Sequence, residues 1–338
     1  MAERPILQLK GISRSFRVGQ RKIGHARALL HALADIDLEV EAGSALGIVG
    51  ESGCGKSTLA RIMLGLTRPD AGRIIFEGAE LTGSRRRPLA VARGLQMIFQ
   101  DPYSALNPRM RIGDAIVEPL RVHRIVPREE AARERDRLLE MVGLSPALAG
   151  RYPHELSGGQ RQRVNIARAL AVRPRLIVAD EAVASLDVSV QGQIINLFSD
   201  LREHLGVTIV FVSHDLNVVD HLCDRVAVMY FGRIVEEGPS SILRDAMMHP
   251  YTRGLSSAIP RPAPGQRRGQ PAIGGDLPSP VNPPSGCHFR TRCPAARPAC
   301  AGTMPPLETV APGHRLACHF PLAPNPSAPG QSSASCSS

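Results

Sequence analysis

Gly50-Glu51-Ser52-Gly53-Cys54-Gly55-Lys56-Ser57-Thr58 decides how this chain of 338 residues is read. It fits the phosphate-binding pattern G-x-x-x-x-G-K-[ST]. The run before it, Ser44 to Val49, reads as a short buried strand, and Leu59 to Leu64 after it reads as a helix. Strand, loop and helix in that order are the context the pattern requires. The glycines let successive backbone N–H groups turn inward as an anion nest, and the helix N-terminus adds partial positive charge. In such a loop Lys56 reaches the β- and γ-phosphates, and the Ser57 hydroxyl binds Mg²⁺. Of 41 basic residues only Lys10, Lys22 and Lys56 are lysines. Arginine has taken the other basic positions, so the lysine kept in the loop is informative. A compact ammonium fits between phosphates where a planar fork does not.

The length suggests two domains, or one large domain with an appendage, and 43% hydrophobic residues suffice for a packed core. The formal charge is +10. After Tyr251 eight arginines stand against Asp276 and Glu308, so six of those ten units lie there. A basic tail fits nucleic acid, an anionic membrane surface or an acidic partner, and equally a solvated arginine-rich surface. Met1 to Pro5 carries no apolar signal segment, and the longest apolar run, Val207 to Val212, is too short to span a bilayer. The expectation is a soluble or peripheral chain. Seven cysteines, an odd number without secretory signals, point to a reducing cytosol and not to a disulfide framework.

Ile6 to Ile12 and Ile36 to Val40 read as strands of an N-terminal sheet, with a basic insert from Gly19 to Leu30 between them. Phe16 follows the first strand, where an aromatic either stacks on a nucleotide base or fills a core or edge position. Arg73 to Glu77 and Leu95 to Phe99 are further strands. The latter ends at Gln100, followed by a proline-rich loop from Asp101 to Pro108. A polar residue at a strand's C-terminal end stands where α/β proteins place ligands. Residues 110–172 look helical, with Arg128 to Val142 amphipathic through Ala131, Leu138, Leu139 and Val142. Leu156-Ser157-Gly158-Gly159-Gln160 then opens a helix running to about Ala171. Ser157 is its cap, and the two glycines make a second phosphate-sized nest.

Arg175 to Glu181 is an apolar strand ending in two carboxylates, suited to a buried parallel sheet. There Asp180 holds Mg²⁺ and Glu181 polarises an attacking water. Val207 to Val212 is another buried strand and ends in Ser213-His214-Asp215. Arg225 to Phe231 and Arg233 to Glu237 read as closing strands. From Pro260 prolines crowd in and periodicity disappears. Cys287, Cys293, Cys300 and Cys318 sit there at intervals of five, six and seventeen residues. Three readings stand for them: a four-iron, four-sulfur cluster, zinc, or free thiols. Such a segment is expected to need a bound group in order to fold. Residues 321–338 are rich in Pro, Ser and Ala and read as a disordered tail.

Leu-Ser-Gly-Gly-Gln between a phosphate loop and an apolar-Asp-Glu strand resembles the ATP-binding-cassette (ABC) ATPases, over about residues 5–320. The resemblance implies an α/β fold: a P-loop NTPase cassette with a mixed sheet core, an antiparallel N-terminal subdomain and a helical signature subdomain. A small Pro/Cys-rich C-terminal appendage follows. The expected boundaries are 1–259 for the cassette (helical subdomain about 101–172), 260–320 for the appendage and 321–338 for the tail. The resemblance further implies that two cassettes dimerise head to tail with ATP between them. Gly50 to Thr58 would hold the phosphates and Phe16 the base. Ser157, Gly158, Gly159 and Gln160 would meet the γ-phosphate of the opposite subunit. Asp180, Ser57 and Gln100 would serve Mg²⁺, Glu181 would be the catalytic carboxylate, His214 would contact the γ-phosphate, and Asp187 would lie in the loop crossing the interface. Gln100 would also link the site to the transmembrane partner.

Asp101 to Met110, Leu186 to Gln191, His249 to Leu255 and Gly286 to Pro294 look like the ATPases of oligopeptide and dipeptide importers. The helix after the P-loop leans toward the F-type member of the paired D and F ATPases. The implied function is ATP-driven uptake of di- or oligopeptides or related small solutes. The implied partners are a second ABC ATPase subunit in a heterodimer, two transmembrane permease subunits and an extracytoplasmic solute-binding protein, without nucleic acid. The implied place is peripheral, on the cytoplasmic face of the inner membrane. The rival is a non-transport ABC ATPase acting on ribosomes or nucleic acid. It is disfavoured by the single P-loop, the single Leu-Ser-Gly-Gly-Gln and the lack of sustained heptads. The sequence departs from the family's pattern at Ala182, where proline is usual, and at Ala184-Ser185, which inverts the usual order.

Overall fold

The computed structural model describes residues 4–19, 28–81, 88–241, 246–257, 273–275 and 278–323. Its strands are β1 (Leu7–Val18), β2 (Ala28–Val40), β3 (Ala45–Val49), β4 (Ala71–Phe76), β5 (Ala79–Glu80), β6 (Leu95–Ile98), β7 (Leu176–Asp180), β8 (Thr208–Ser213), β9 (Arg225–Tyr230), β10 (Arg233–Pro239), β11 (Glu308–Ala311) and β12 (His314–Leu316). The helices are α1 (Lys56–Met63), α2 (Leu89–Gly94), α3 (Ile112–Val122), α4 (Ala131–Met141), α5 (Gly158–Leu170), α6 (Val188–Leu205), α7 (Leu216–Leu222) and α8 (Pro250–Ser257).

Among the described residues an eight-stranded sheet runs β11-β12-β10-β9-β3-β8-β7-β6. The stretch from β9 to β6 is parallel, because helices cross between its strands; β10, β12 and β11 are antiparallel. Side chains of the central strands alternate between two cores. Ala45, Val49, Ile177, Ala179, Ile209 and Phe211 face one, with helices α3 to α6. Leu46, Ile48, Leu176, Val178, Val210 and Val212 face the other, with α1 and the N-terminal strands. Burial on both faces explains why these strands read as unbroken apolar runs.

A second, antiparallel sheet runs β2-β1-β4-β5. Its first strand outlasts the expected end at Ile12, because register shifts between Leu9 and Ser15 break the alternation of two. The charged helix starts as a 3-10 turn over Arg128–Glu130 and becomes α-helical only at Ala131. Its expected apolar positions, Ala131, Leu138, Leu139 and Val142, are all buried. Much of the basic insert, residues 20–27, lies outside the described residues, as do residues 324–338 of the expected tail.

The C-terminal segment departs from expectation. It supplies β11 and β12, and β12 pairs with β10 so that Glu236 faces Leu316 and Glu237 faces Arg315. Two carboxylates on β10 are buried, and the partners come largely from that segment and the approach to α8. Glu237 pairs with Arg225 at 2.6 Å and also with Arg315. Glu236 accepts from His314 Nε2 at 3.0 Å and from the N–H groups of Met248 and His249 at 2.8 and 3.1 Å. Phe289 is buried against the rings of Tyr230 and Tyr251, at 5.2 and 5.4 Å between centroids. Periodicity is missing because the segment packs through single anchors on a surface already built. That packing, and not a bound group alone, orders it.

His249 lies in this seam, and burial pulls its pKa down to about 4 against the attraction of Glu236. The folded chain therefore keeps a neutral imidazole at a pH where the unfolded chain, titrating near 6.5, has taken a proton. Where the unfolded state binds more protons, stability rises with pH. Unfolding free energy should thus fall as pH drops from 6.5 to about 4, with this residue accounting for roughly 3 kcal/mol. Urea unfolding of wild type and His249→Asn across that window checks it. A shallower pH dependence in the variant is expected, and an equal one contradicts the assignment.

Candidate nucleotide site

β3, β7 and β8 are neighbours in register: Val49 pairs with Ser213 and Asp180 with Val212. Their C-terminal ends therefore meet at one edge. β6 pairs with β7 at Ile98 and Ala179, which brings Gln100 there as well. The order of the strands, more than any local sequence, assembles the site.

The loop from Gly50 to Thr58 is wedged under the N-terminal sheet. A Cβ on Gly55, whose φ is +109°, would lie 2.4 Å from the Ala32 carbonyl oxygen, so no other residue fits. One on Gly50 would lie 2.2 Å from the Met229 carbonyl oxygen. Cys54 is buried, and burial pushes its thiol pKa up, as befits a small packing residue. Ser52 and Gly53 are exposed at the tip, while Thr58 is half-buried on α1. Lys56 is buried and donates to the carbonyls of Gly50 and Glu51 at 2.7 and 3.1 Å.

Ser57 Oγ donates to Asp180 Oδ1 at 3.1 Å. Burial pushes the Asp180 pKa up, and the Ser57 hydrogen bond works against that rise. A hydroxyl and a buried carboxylate this close form an oxygen donor set of the kind a hard divalent cation takes. Glu181 has φ +47°, an unusual conformation for a residue with a side chain, and its N–H is held by the Val212 carbonyl at 2.9 Å. Its carboxylate accepts from Gln100 Nε2 at 2.8 Å and lies 3.9 Å from Lys56 Nζ and 3.8 Å from His214 Nδ1. Lys56, Ser57, Gln100, Asp180, Glu181 and His214 thus share one edge, Ser57 bonded to Asp180 and the other three gathered about Glu181.

The second nest is built separately. Ser157 Oγ accepts from the Gln160 N–H at 3.2 Å while Gln160 Oε1 accepts from the Ser157 N–H at 3.0 Å, a reciprocal cap on α5. Gly159 lies against the start of α6, where an added Cβ would meet Val190 at 2.6 Å. Asp187 precedes α6 on an exposed stretch and makes no capping bond, and Val188 beside it is 84% exposed. Ala182 is buried in the turn after Glu181. Phe16 stands on β1, partly buried, with the Arg14 guanidinium 4.8 Å above its ring.

The four tail cysteines, Cys287, Cys293, Cys300 and Cys318, line one small pocket with Phe289 and Phe320. Burial raises the thiols of Cys287, Cys293 and Cys318, the last to about 11. Among the described residues, no group of three or more His, Cys, Asp or Glu is set to hold a metal ion. The expectation of a cluster or of zinc therefore meets gathered thiols without a formed ligand cage. Two other residues reach the P-loop unannounced by the sequence. Tyr251 and Arg292, the latter expected only to offset the charge of a cluster held by the tail cysteines, both bond Glu51.

Residues 33–184 match the model of the ABC transporter family, and residues 235–300 match the oligopeptide/dipeptide transporter C-terminal region. Over 292 residues the chain is 50% identical to the "Probable peptide ABC transporter ATP-binding protein y4tS" of Sinorhizobium fredii, covering 86% of this chain and 83% of that one. It is 45% identical over 323 residues to the oligopeptide transport ATP-binding protein AppF of Bacillus subtilis, covering 93% and 97%. Among solved structures, the ATP-binding cassette MJ0796 in a dimeric post-hydrolysis state with ADP and Pi superposes with a TM-score of 0.61. It is 28% identical over 69% of this chain and 98% of that one. The chain belongs to the ABC transporter ATPases. Within them it is one that carries the oligopeptide/dipeptide transporter C-terminal region. Among the described residues no helix is long and apolar enough to cross a membrane.

Proposed function

We propose that this ATPase powers import of di- or oligopeptides, or related small solutes, through a membrane permease. The carrying observation is that the region from 235 to 300, joined to the cassette sheet where β10 pairs with β9, matches the oligopeptide/dipeptide transporter C-terminal region. The names of the y4tS and AppF relatives support the cargo class, and the helix after the P-loop carries the F-type reading. The working assembly pairs this chain with a second ATPase beneath two permease subunits, fed by an extracytoplasmic binding protein. In such an assembly the chain would lie on the cytoplasmic face of the membrane.

In this reading Gly50 to Thr58 wraps the phosphates of ATP with backbone N–H groups. Lys56 exchanges its two carbonyl partners for phosphate oxygens. Ser57, Asp180 and Gln100 would hold Mg²⁺, which when bound neutralises charge on the β- and γ-phosphates. Glu181 orients the attacking water, and its contact with Gln100 keeps the carboxylate aimed at the sheet edge. His214 lies within reach of the same oxygen and takes the γ-phosphate side. Phe16 supplies the base-stacking face. Ser157, Gly158, Gly159 and Gln160, with Asp187, serve the nucleotide of the second subunit, consistent with a nest whose side-chain bonds close on themselves.

The loop after Gln100 is the coupling element, with exposed Tyr103 as its contact; Leu106 is buried in the core and holds the loop's shape instead. For the Cys287, Cys293, Cys300 and Cys318 thiols, which show no formed ligand cage, the reading we carry forward is a four-iron, four-sulfur cluster, with zinc and free thiols as the alternatives. They line a common pocket, and a bound group would crosslink the appendage.

Glu181→Gln should keep ATP binding and reduce hydrolysis in the assembled complex by about 10²–10⁴, the span of a general base. Turnover near wild type would contradict the assignment. For the appendage, anaerobic purification with iron, sulfide and zinc analysis is decisive. Iron at about four per chain, lost in Cys293→Ser, is expected. Stoichiometric zinc would move the reading to the alternative, and metal-free protein would leave free thiols.

A further inference from the structure

Glu51 is an acid in a loop that binds anions. Left alone, its carboxylate would repel the phosphates the loop has to hold. The structure places a cation on it from the far end of the chain. Arg292 donates from both terminal nitrogens to the two Glu51 carboxylate oxygens, at 2.7 and 2.9 Å. Its side chain is only 6% exposed, and its guanidinium lies 6.0 Å from the centre of the Tyr230 ring. The backbone of Glu51 is tied on both sides as well. Its N–H donates to Tyr251 Oη at 2.8 Å, and its carbonyl accepts from Lys56 Nζ at 3.1 Å. Tyr251 is fully buried between Tyr230 and Phe289, with ring centres 4.7 and 5.4 Å away.

We propose that Arg292 and Tyr251 are positioning residues of the nucleotide loop: Arg292 neutralises and pins the Glu51 carboxylate, and Tyr251 fixes the Glu51 backbone that presents Lys56. Arg292 stands on the Cys287–Cys293 turn, next to Cys293. The order of that turn therefore sets the charge of the phosphate loop, and nucleotide affinity responds to the state of the C-terminal appendage. Both residues act through Glu51 and bond none of Asp180, Glu181 and His214, so the effect is on binding and not on the hydrolytic step. The inference rests on ATP being held by this loop.

The test is ATP binding by the full-length chain, read by competition against a fluorescent ATP analogue, alongside thermal unfolding. Arg292→Met should raise the Kd for ATP about tenfold, as expected for losing a charge-assisted pair and exposing an acid to phosphate. Arg292→Lys, which keeps the charge without the fork, should fall between. Glu51→Gln added to Arg292→Met should recover most of the affinity, because the stranded charge is gone. A role confined to folding would give no such recovery. ATP affinity within twofold of wild type in Arg292→Met, or a double variant no better than the single one, would overturn the proposal. Where Arg292→Met yields too little folded chain, Arg292→Lys against Arg292→Lys with Glu51→Gln gives the same comparison. Wild-type chain that fails to bind ATP would instead defeat the loop assignment beneath it.

Discussion

A lysine ammonium taken out of water has to be surrounded by oxygen. Lys56 is 4% exposed, and the structure around it can be read as the supply of that oxygen. Two acceptors are carbonyls of its own loop, at Gly50 and Glu51. Glu181 stands 3.9 Å away at the end of a neighbouring strand. The loop must double back to offer those carbonyls, which is why glycines occupy positions where a Cβ would strike Ala32 or Met229. Glu181 can approach only because β7 lies one strand beyond β8 from β3 in a parallel sheet. Bound phosphate would offer better acceptors than these carbonyls, so the same arrangement that tolerates the buried charge prepares it for ATP.

The appendage follows from a similar constraint. Glu236 and Glu237 are each 1% exposed on β10, and their compensation comes in large part from His314 and Arg315 on β12. Breaking a buried ion pair by removing one partner costs about 3–5 kcal/mol. The cassette and its C-terminal segment are therefore one cooperative body at this seam, and the short distance from the seam to Glu51 gives the segment a hold on the nucleotide loop.

Most of the cassette was legible in the sequence, for reasons that differ by element. The central strands are buried on both faces and so appear as apolar runs that end in Val49, Asp180-Glu181 and Ser213. The nests announce themselves because backbone geometry restricts residues such as Gly55. The extension of β1 to Val18 was hidden, since its bulges destroy the alternation a reader would use. The strands β11 and β12 were hidden too, being four and three residues long and more than half polar. The Arg292–Glu51 pair spans 241 residues, and no local pattern marks a contact of that separation. Burial within the proline-rich loop was hidden as well: Tyr103 is exposed while Leu106, three residues on, is in the core, and no alternation marks the difference.

The proposed composite site makes the strongest demand on the structure, because Ser157 to Gln160 must serve a nucleotide that this chain does not itself hold. The direct measurement uses ATP carrying a photoreactive group on the γ-phosphate, bound to the assembled complex with the second ATPase, with labelled peptides identified by mass. Labelling at Ser157–Gln160 should persist when Lys56→Ala disables this chain's own loop, and should vanish when the P-loop lysine of the second ATPase is replaced. Labelling that instead follows Lys56 would show the nest working within one chain and contradict the account.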